Sequence, residues 1–325
     1  MTIIVTGAAG FIGFHVATAL LARGERVVGI DTVNDYYDPG LKDARLARLS
    51  GDAGFSFHRA DIADHERVSE ILAASGPVKG VIHLAAQAGV RYSLKNPYAY
   101  VHSNVLGQVA MFEAVRRLDP APGFVYASSS SVYGGNDKFP FAVADRVDHP
   151  VSLYAATKRG GELLAESYAA MYGLHSTGLR FFTVYGPWGR PDMAYFSFTK
   201  AIIAGEAIPV FNEGKLKRDF TYIDDIVSGV IAALDQPADP VRRHRIYNLG
   251  NNKSEPVLHF VKVLEKALNR KAVIRFEPMQ PGDVEITAAE IEDSRRDLGF
   301  QPATTIEEGL PRFVAWYKDY YGAGG

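Results

Sequence analysis

The chain contains no cysteine, which excludes disulfides, thiol nucleophiles and thiolate metal sites. That fits a reducing compartment, and a cytoplasmic protein is expected. Charge of one sign is equally scarce, with 35 Lys and Arg against 37 Asp and Glu. No basic stripe is available for nucleic acid or an anionic membrane surface, so neither is expected as a partner. No apolar run approaches the roughly 20 residues of a membrane span. The apolar start "MTIIVTGAAGFIGFHVATALLARG" lacks a basic leader and is interrupted by Gly7, Gly10 and Gly13, so it does not read as a targeting signal. Nine histidines are scattered without metal-ligand spacing, and no metal is expected. His83, inside an apolar strand, reads as a satisfied core histidine.

What is present is a steady alternation of strands and helices. "TIIVTG", "RVVGID", "FSFHRADI", "GVIHLAA", "GFVYASSS" and "STGLRFFTVYGP" are β-branched apolar runs. Amphipathic stretches separate them, among them "GFHVATALLARG", closed by Gly24, and a helix that begins near Ser152. Alternation of this kind predicts parallel strands with right-handed crossovers. The expected fold is α/β, a Rossmann-type doubly wound parallel sheet with a smaller C-terminal α/β substrate-binding domain. "PWGRPDMA" breaks the rhythm after Gly186. The predicted division is 1–186, with 218–253 returning to it, against 187–217 plus 254–325. The tail "YYGAGG" is expected to fray.

"VTGAAGFIG" sets Gly7, Gly10 and Gly13 between the first strand and the first helix. Glycine there permits a tight turn, admits a pyrophosphate and seats the helix N-terminus beneath its charge. Phe11 and Ile12 lie between the last two glycines. Asp31 ends the next strand, where a ribose hydroxyl is read, and its carboxylate repels a 2′-phosphate, so NAD is expected over NADP. Asp61 and Ile62 are candidates for the adenine. Leu84, Ala85 and Ala86 are small or apolar residues suited to lie along the cofactor, while Asn104 and Phe181 complete the cofactor candidates. "VNDYYD" lacks calcium-loop spacing and reads as an adenosine-side loop.

"YAATK" places Tyr154 and Lys158 at i and i+4, on one face of a helix. Ser129 lies upstream at a strand end on the same rim of the sheet, where ligands bind. Together the glycine turn, Asp31, "SSSSVYG", "YAATK" and "RFFTVYGP" resemble the extended short-chain dehydrogenase/reductase family of nucleotide-sugar enzymes. The resemblance spans the whole chain, including "RDFTYIDD" and "PMQPGD". Within the family, "DTVNDYYD", "YGPWGRPDMA" and "GLRFFTVYG" are most similar to the UDP-glucuronate 4-epimerases.

The resemblance implies that UDP-glucuronate and UDP-galacturonate interconvert by transient oxidation at C4 through bound NAD. It makes Tyr154 the base for the sugar 4-hydroxyl, Lys158 its electrostatic partner and Ser129 the hydroxyl on O4. A phenol titrates near 10, and bringing it to neutrality needs about 4 kcal/mol. One ammonium at ~6 Å supplies about 3 kcal/mol at an effective dielectric of ~20, before desolvation opposes it. Lys158 alone is therefore insufficient, and the positive nicotinamide ring supplies the remainder.

Family members that dehydrate a sugar carry Asp-Glu just before "VYG", and the decarboxylases carry a glutamate there. This chain has Ser130 and Ser131, which leaves no evident group for chemistry at C5 and argues for epimerisation alone. A 4-keto uronate loses CO₂ when its carboxylate aligns with the carbonyl, so Ser130, Ser131, Thr183 and Arg190 are candidates to hold it out of alignment. Thr183 departs from an asparagine found in many related enzymes. Arg218 and Asp283 match family positions for the UDP diphosphate and uridine ribose, while Gln280 stands where an arginine often does. Bland readings stay open beside these: a serine cluster can satisfy strand-end backbone, Arg190 can pair with Asp192, and Arg218 can form a rim salt bridge. An uncharged UDP-hexose 4-epimerase, a UDP-glucuronate decarboxylase and a silent NAD-binding sensor are the alternative functions. The family also implies a homodimer through a four-helix bundle, using the helices of "NVLGQVAMFEAV" and "YAATKRGGELLAESYAAMY".

Overall fold

A computed structural model describes residues 1–280 and 283–322. In chain order it opens with β1 (Thr2–Thr6), α1 (Phe11–Ala22), β2 (Arg26–Asp31), α2 (Pro39–Leu49), β3 (Phe55–Arg59), α3 (His65–Ala74) and β4 (Val78–His83). Two short helical turns, α4 (Tyr92–Lys95) and α5 (Pro97–Tyr100), lead through a π-helical stretch over Val101–Leu106 into α6 (Gly107–Val115). Next come β5 (Gly123–Ser129), a 3-10 turn over Ser130–Tyr133, α7 (Leu153–Tyr172), β6 (Ser176–Phe181) and β7 (Thr183–Tyr185). Then follow α8 (Ala194–Ala204), β8 (Ala207–Phe211), β9 (Lys217–Tyr222), α9 (Ile223–Asp235) and β10 (His244–Leu249). The chain closes with β11 (Ser254–Pro256), α10 (Val257–Leu268), β12 (Val273–Glu277), α11 (Glu292–Leu298) and α12 (Ile306–Tyr321).

Seven strands form one sheet in the order β10-β6-β5-β4-β1-β2-β3, each pair parallel. This is the expected doubly wound α/β fold. β1 shows why: all five of its residues are buried, the continuous apolar run of a central parallel strand covered on both faces. Strand order reverses between β1 and β4, so the crevice at their carboxyl ends is the place for a ligand.

Outside this sheet lie a three-stranded sheet, β11-β9-β7, and a two-stranded one, β12-β8. Of the returning segment 218–253, β10 joins the large sheet beside β6, while β9 pairs with β7 and β11. One apolar core runs from Ile3 and Val5 through Phe182 and Phe220 to Phe313 and Val314. The C-terminal helices therefore pack on the same core as the sheet.

Two elements differ from their sequence reading. "STGLRFFTVYGP" is two strands, not one. Phe182 N still donates to Leu249 O (3.1 Å), but β10 ends there, and Thr183 pairs instead with Phe220 of β9. The helix expected at "NVLGQVAMFEAV" begins inside a π-helical stretch, in which Asn104 is buried. The tail is helical as far as Tyr321, whose ring lies 4.7 Å from that of Tyr317. Residues 323–325, on which the rest of the fraying expectation falls, and Pro281 and Gly282 of "QPGD" are outside the described residues.

Candidate active site

The glycine turn is built from backbone. Gly7 has φ +72°, and a Cβ on it would lie 2.8 Å from Ala85 N; one on Gly13 would lie 2.0 Å from Gly7 O. The turn thus brings α1 against β1 more closely than any side chain permits. α1 opens with no acidic residue and no side-chain cap, so its first N–H groups are available to an anion. Asp31 accepts from Ala9 N (3.1 Å) and Val33 N (2.8 Å), which ties the end of β2 to this turn. Burial pushes its carboxyl up, opposed by those backbone bonds and by the Lys42 and Arg45 charges.

A cavity of about 730 Å³ follows the strand ends. Gly7, Gly10, Phe11, Ile12, Gly13, Asp31, Asp61, Ile62, Leu84, Ala85 and Ala86 line it on the side of β1–β4. Ser129, Tyr154, Lys158, Phe181 and Arg190 line it on the side of β5 and β6. The glycine cradle, the anion-accepting start of α1 and a carboxylate at the end of β2 form a donor set that fits a dinucleotide without a 2′-phosphate. Asp61 sits 2.9 Å from His102 Nε2 and also accepts from Ala63 N. Asn104 does not line the cavity. Its carboxamide accepts from Gln87 N (2.8 Å) and donates to Gln87 O (3.0 Å) and Thr157 Oγ1 (3.0 Å), fastening the segment after β4 to α7.

Ser152 caps α7 by accepting from Ala155 N, which sets Tyr154 in the first turn and Lys158 one turn on. Lys158 is buried, and its Nζ donates to Ala127 O (2.8 Å) at the end of β5. Burial pushes the lysine down to about 8, with the Glu162 charge opposing. Burial also raises the Tyr154 phenol above its ordinary value, while the hydrogen-bonded Ser129 hydroxyl and the Arg190 charge pull it down. His83 is held neutral, pushed down to about 3 by burial and by the Lys158 charge, with Nδ1 2.8 Å from Thr6 Oγ1.

The four serines divide their work. Ser128 Oγ donates to Glu162 Oε1 (2.7 Å), and Ser129 caps the 3-10 turn by accepting from Ser131 N (3.2 Å). Ser129 Oγ also donates to Ser131 Oγ (3.1 Å). Ser130, Ser131 and Thr183 are half-buried and do not line the cavity, although Phe182 and Val184 beside Thr183 do. Arg190 lines the cavity and also makes the pair the sequence left open. Its Nε and Nη2 bind Asp192 at 3.0 and 2.5 Å, and Tyr36 OH donates to the same carboxylate (3.1 Å).

Arg218 and Asp283 do not line that cavity, and Arg91 pairs with Asp283. Arg218 Nη1 donates to the carbonyls of Lys217 (2.9 Å) and Glu285 (3.1 Å). Arg91 Nη2 lies 3.5 Å from Asp283 Oδ2, and its guanidinium lies 4.7 Å from the Phe211 ring centroid. Burial and Arg91 lower the Arg218 guanidinium, and Asp283 opposes them. Sequence reasoning missed Arg91 and the contact of Tyr36 with Asp192. Arg91 had one available signal: it follows the strand-end stretch "HLAAQAG" at the very rim where a missing cation was noted for Gln280.

Fold, glycine turn and Tyr-Lys pair together define a nucleotide-dependent oxidoreductase-type site, and the chain belongs to the NAD dependent epimerase/dehydratase family, whose model matches residues 3–250. The chain is 49% identical to UDP-glucuronate 4-epimerase 4 of Arabidopsis thaliana, over 99% of this chain and 76% of that protein. It is similar in structure to UDP-glucuronic acid 4-epimerase from Bacillus cereus, solved with UDP-glucuronic acid and NAD. There the TM-score is 0.91 and the identity 34%, over 99% of this chain and 100% of that one. UDP-glucose 4-epimerase from Thermotoga maritima, solved with UDP-glucose, has a TM-score of 0.89 at 29% identity, over 99% and 100% of the two chains.

Proposed function

We propose that the chain is a UDP-glucuronate 4-epimerase that interconverts UDP-glucuronate and UDP-galacturonate, with NAD held throughout and CO₂ retained. The supporting observation is the composition of the cavity wall on the side of β5 and β6. Ser129, Tyr154 and Lys158 converge there, and the two carboxylates that line the cavity among the described residues, Asp31 at the end of β2 and Asp61 after β3, lie at the other side. Tyr154 accepts the proton of the 4-hydroxyl, Ser129 holds O4, and Lys158 stabilises the phenolate. The glycine turn and Asp31 would hold NAD, which would supply a hydride acceptor for C4, and inversion follows when the 4-keto sugar turns over so that hydride comes back to its opposite face. With no carboxylate on that wall among the described residues, no carboxylate base is available there for C5 or for elimination.

Arg190 holds the uronate carboxylate by charge and slows its loss as CO₂. Contacts from Ser130, Ser131 and Thr183 to the sugar rest on the family resemblance. Arg218 and Asp283 serve the nucleotide end, and Arg91 supplies the cation that Gln280 does not. A second copy of the chain covers the exposed Leu94, Tyr98, Val101 and Leu106 and the exposed Leu163 of α7, giving the homodimer.

Incubation of the purified protein with UDP-glucuronate, followed by proton NMR, tests the reading. UDP-galacturonate is expected at equilibrium with its partner. A UDP-pentose with released CO₂, or faster turnover of UDP-glucose, contradicts it.

A further inference from the structure

We infer that Glu162 is a positioning residue of the catalytic pair: from one turn beyond Lys158 it clamps the end of β5 through Ser128 and places a buried negative charge beside the Lys158 ammonium. The inference rests on the roles proposed above for Tyr154 and Lys158. Tyr154, Lys158 and Glu162 are spaced i, i+4 and i+8 on α7, so they share one face. Glu162 is 1% exposed. Its Oε1 accepts from Ser128 Oγ (2.7 Å) and Arg180 Nε (2.8 Å). Its Oε2 accepts from Arg180 Nη2 (2.9 Å) and Arg159 Nη1 (3.0 Å). One carboxylate therefore joins α7, β5 and β6.

The clamp lies directly beside the reaction. Lys158 holds Ala127 by its carbonyl, Glu162 holds Ser128 by its hydroxyl, and the next residue is Ser129. Two successive residues fastened to one helix face fix where the third presents its hydroxyl to a phenol on that same face. This explains the first serine of the four.

Charge supplies the second role. Several elements bring charged or titratable groups to Tyr154, Lys158 and Glu162, and Tyr100 and Arg190 face Tyr154 itself. Arg159 and Glu166 share α7, Arg180 comes from β6, Tyr126 from β5, and Tyr133 from the 3-10 turn, under the Arg180 guanidinium at 4.8 Å. His244 of β10 bonds both Tyr126 and Glu166, and neutral His83 of β4 faces Lys158. Glu166 is exposed, which leaves Glu162 as the buried anion acting on Lys158. A buried ammonium without an opposite charge gives up its proton, and a neutral lysine cannot stabilise a phenolate.

The test is kcat against pH for UDP-glucuronate with protein of measured NAD content. Glu162→Gln is expected to move the alkaline limb down by about one pH unit, with KM within about twofold. Ser128→Ala is expected to leave that limb in place and lower kcat about tenfold. An unmoved limb in Glu162→Gln, or wild-type kcat in Ser128→Ala, overturns the inference. If Glu162→Gln does not fold, Ser128→Ala decides alone. Tyr154→Phe separates the two layers: full turnover in that variant overturns the reading of the site itself, whereas an inactive Tyr154→Phe with an unmoved Glu162→Gln limb overturns the inference only.

Discussion

The two sides of the cavity are held by different kinds of bond. On the side of β1 and β2, Gly7, Gly13 and Asp31 are fixed by backbone: a Cβ that would strike Gly7 O, and a carboxylate accepting from Ala9 and Val33 N–H. On the side of β5 and β6, side chains hold one another, as in Glu162 with Ser128 and two arginines, or Arg190 with Asp192 and Tyr36. A backbone cradle accepts any ligand with the right phosphate geometry and leaves little to tune. Paired side chains set charge and hydrogen-bond count residue by residue, and that is where one family can change its chemistry. The proposed cofactor side is thus set by backbone geometry, and the proposed sugar side by the electrostatics of paired side chains.

Substitutions on each side should separate these properties. The largest effect is expected from Tyr154→Phe, which removes the proposed base while leaving the cradle whole. Its kcat should fall by about 10³, within the range for general acid–base groups, with NAD content unchanged by chromatography of the denatured protein. Gly13→Ala attacks the other side, since its Cβ would sit 2.0 Å from Gly7 O. The purified variant should lose its bound NAD and melt at lower temperature, with activity lost for want of cofactor. Arg190→Ala should raise KM for UDP-glucuronate about 10- to 100-fold, the worth of a charge-assisted bond, and leave UDP-glucose unaffected. Equal losses on both sugars would remove Arg190 from the carboxylate.

The smallest effect concerns stability. Lys158 is pushed from 10.5 to about 8 by burial, so the folded protein binds fewer protons than the unfolded chain between those values. Its penalty is complete below about pH 8, on the order of 3 kcal/mol, and fades as pH rises toward 10.5. Lys158→Met should therefore be inactive yet melt several degrees higher at pH 7, with the gain shrinking at alkaline pH. A gain that is constant with pH would mean that packing, not the charge, carries it.

The contrast between the two sides also explains what could be read from the sequence. The glycine turn, Asp31 and the Tyr-x-x-x-Lys pair depend on local spacing, and local spacing is visible in a string of residues. The parallel sheet followed from alternation for the same reason. Tyr36 reaches Asp192 across 156 residues and Arg91 reaches Asp283 across 192, and no periodicity encodes such meetings. Buried Arg45 is another case: it donates to the carbonyls of Ala9, Trp188 and Gly189, tying the glycine turn to the Arg190 segment. The strand break at Phe182 escaped detection because β10, which ends beside it, is more than 60 residues away in sequence. Ser128 carried no reading of its own within "SSSSVYG", and only the fold brings Glu162 to it.

The central claim is that a buried phenol beside a buried ammonium becomes a base when a further positive charge joins them. Absorbance titration of tyrosinate, taken as wild type minus Tyr154→Phe, tests this in protein loaded with NAD⁺ or with NADH. The account predicts a midpoint well below 10 with NAD⁺ and one at or above 10 with NADH. The same midpoint in both forms would contradict it.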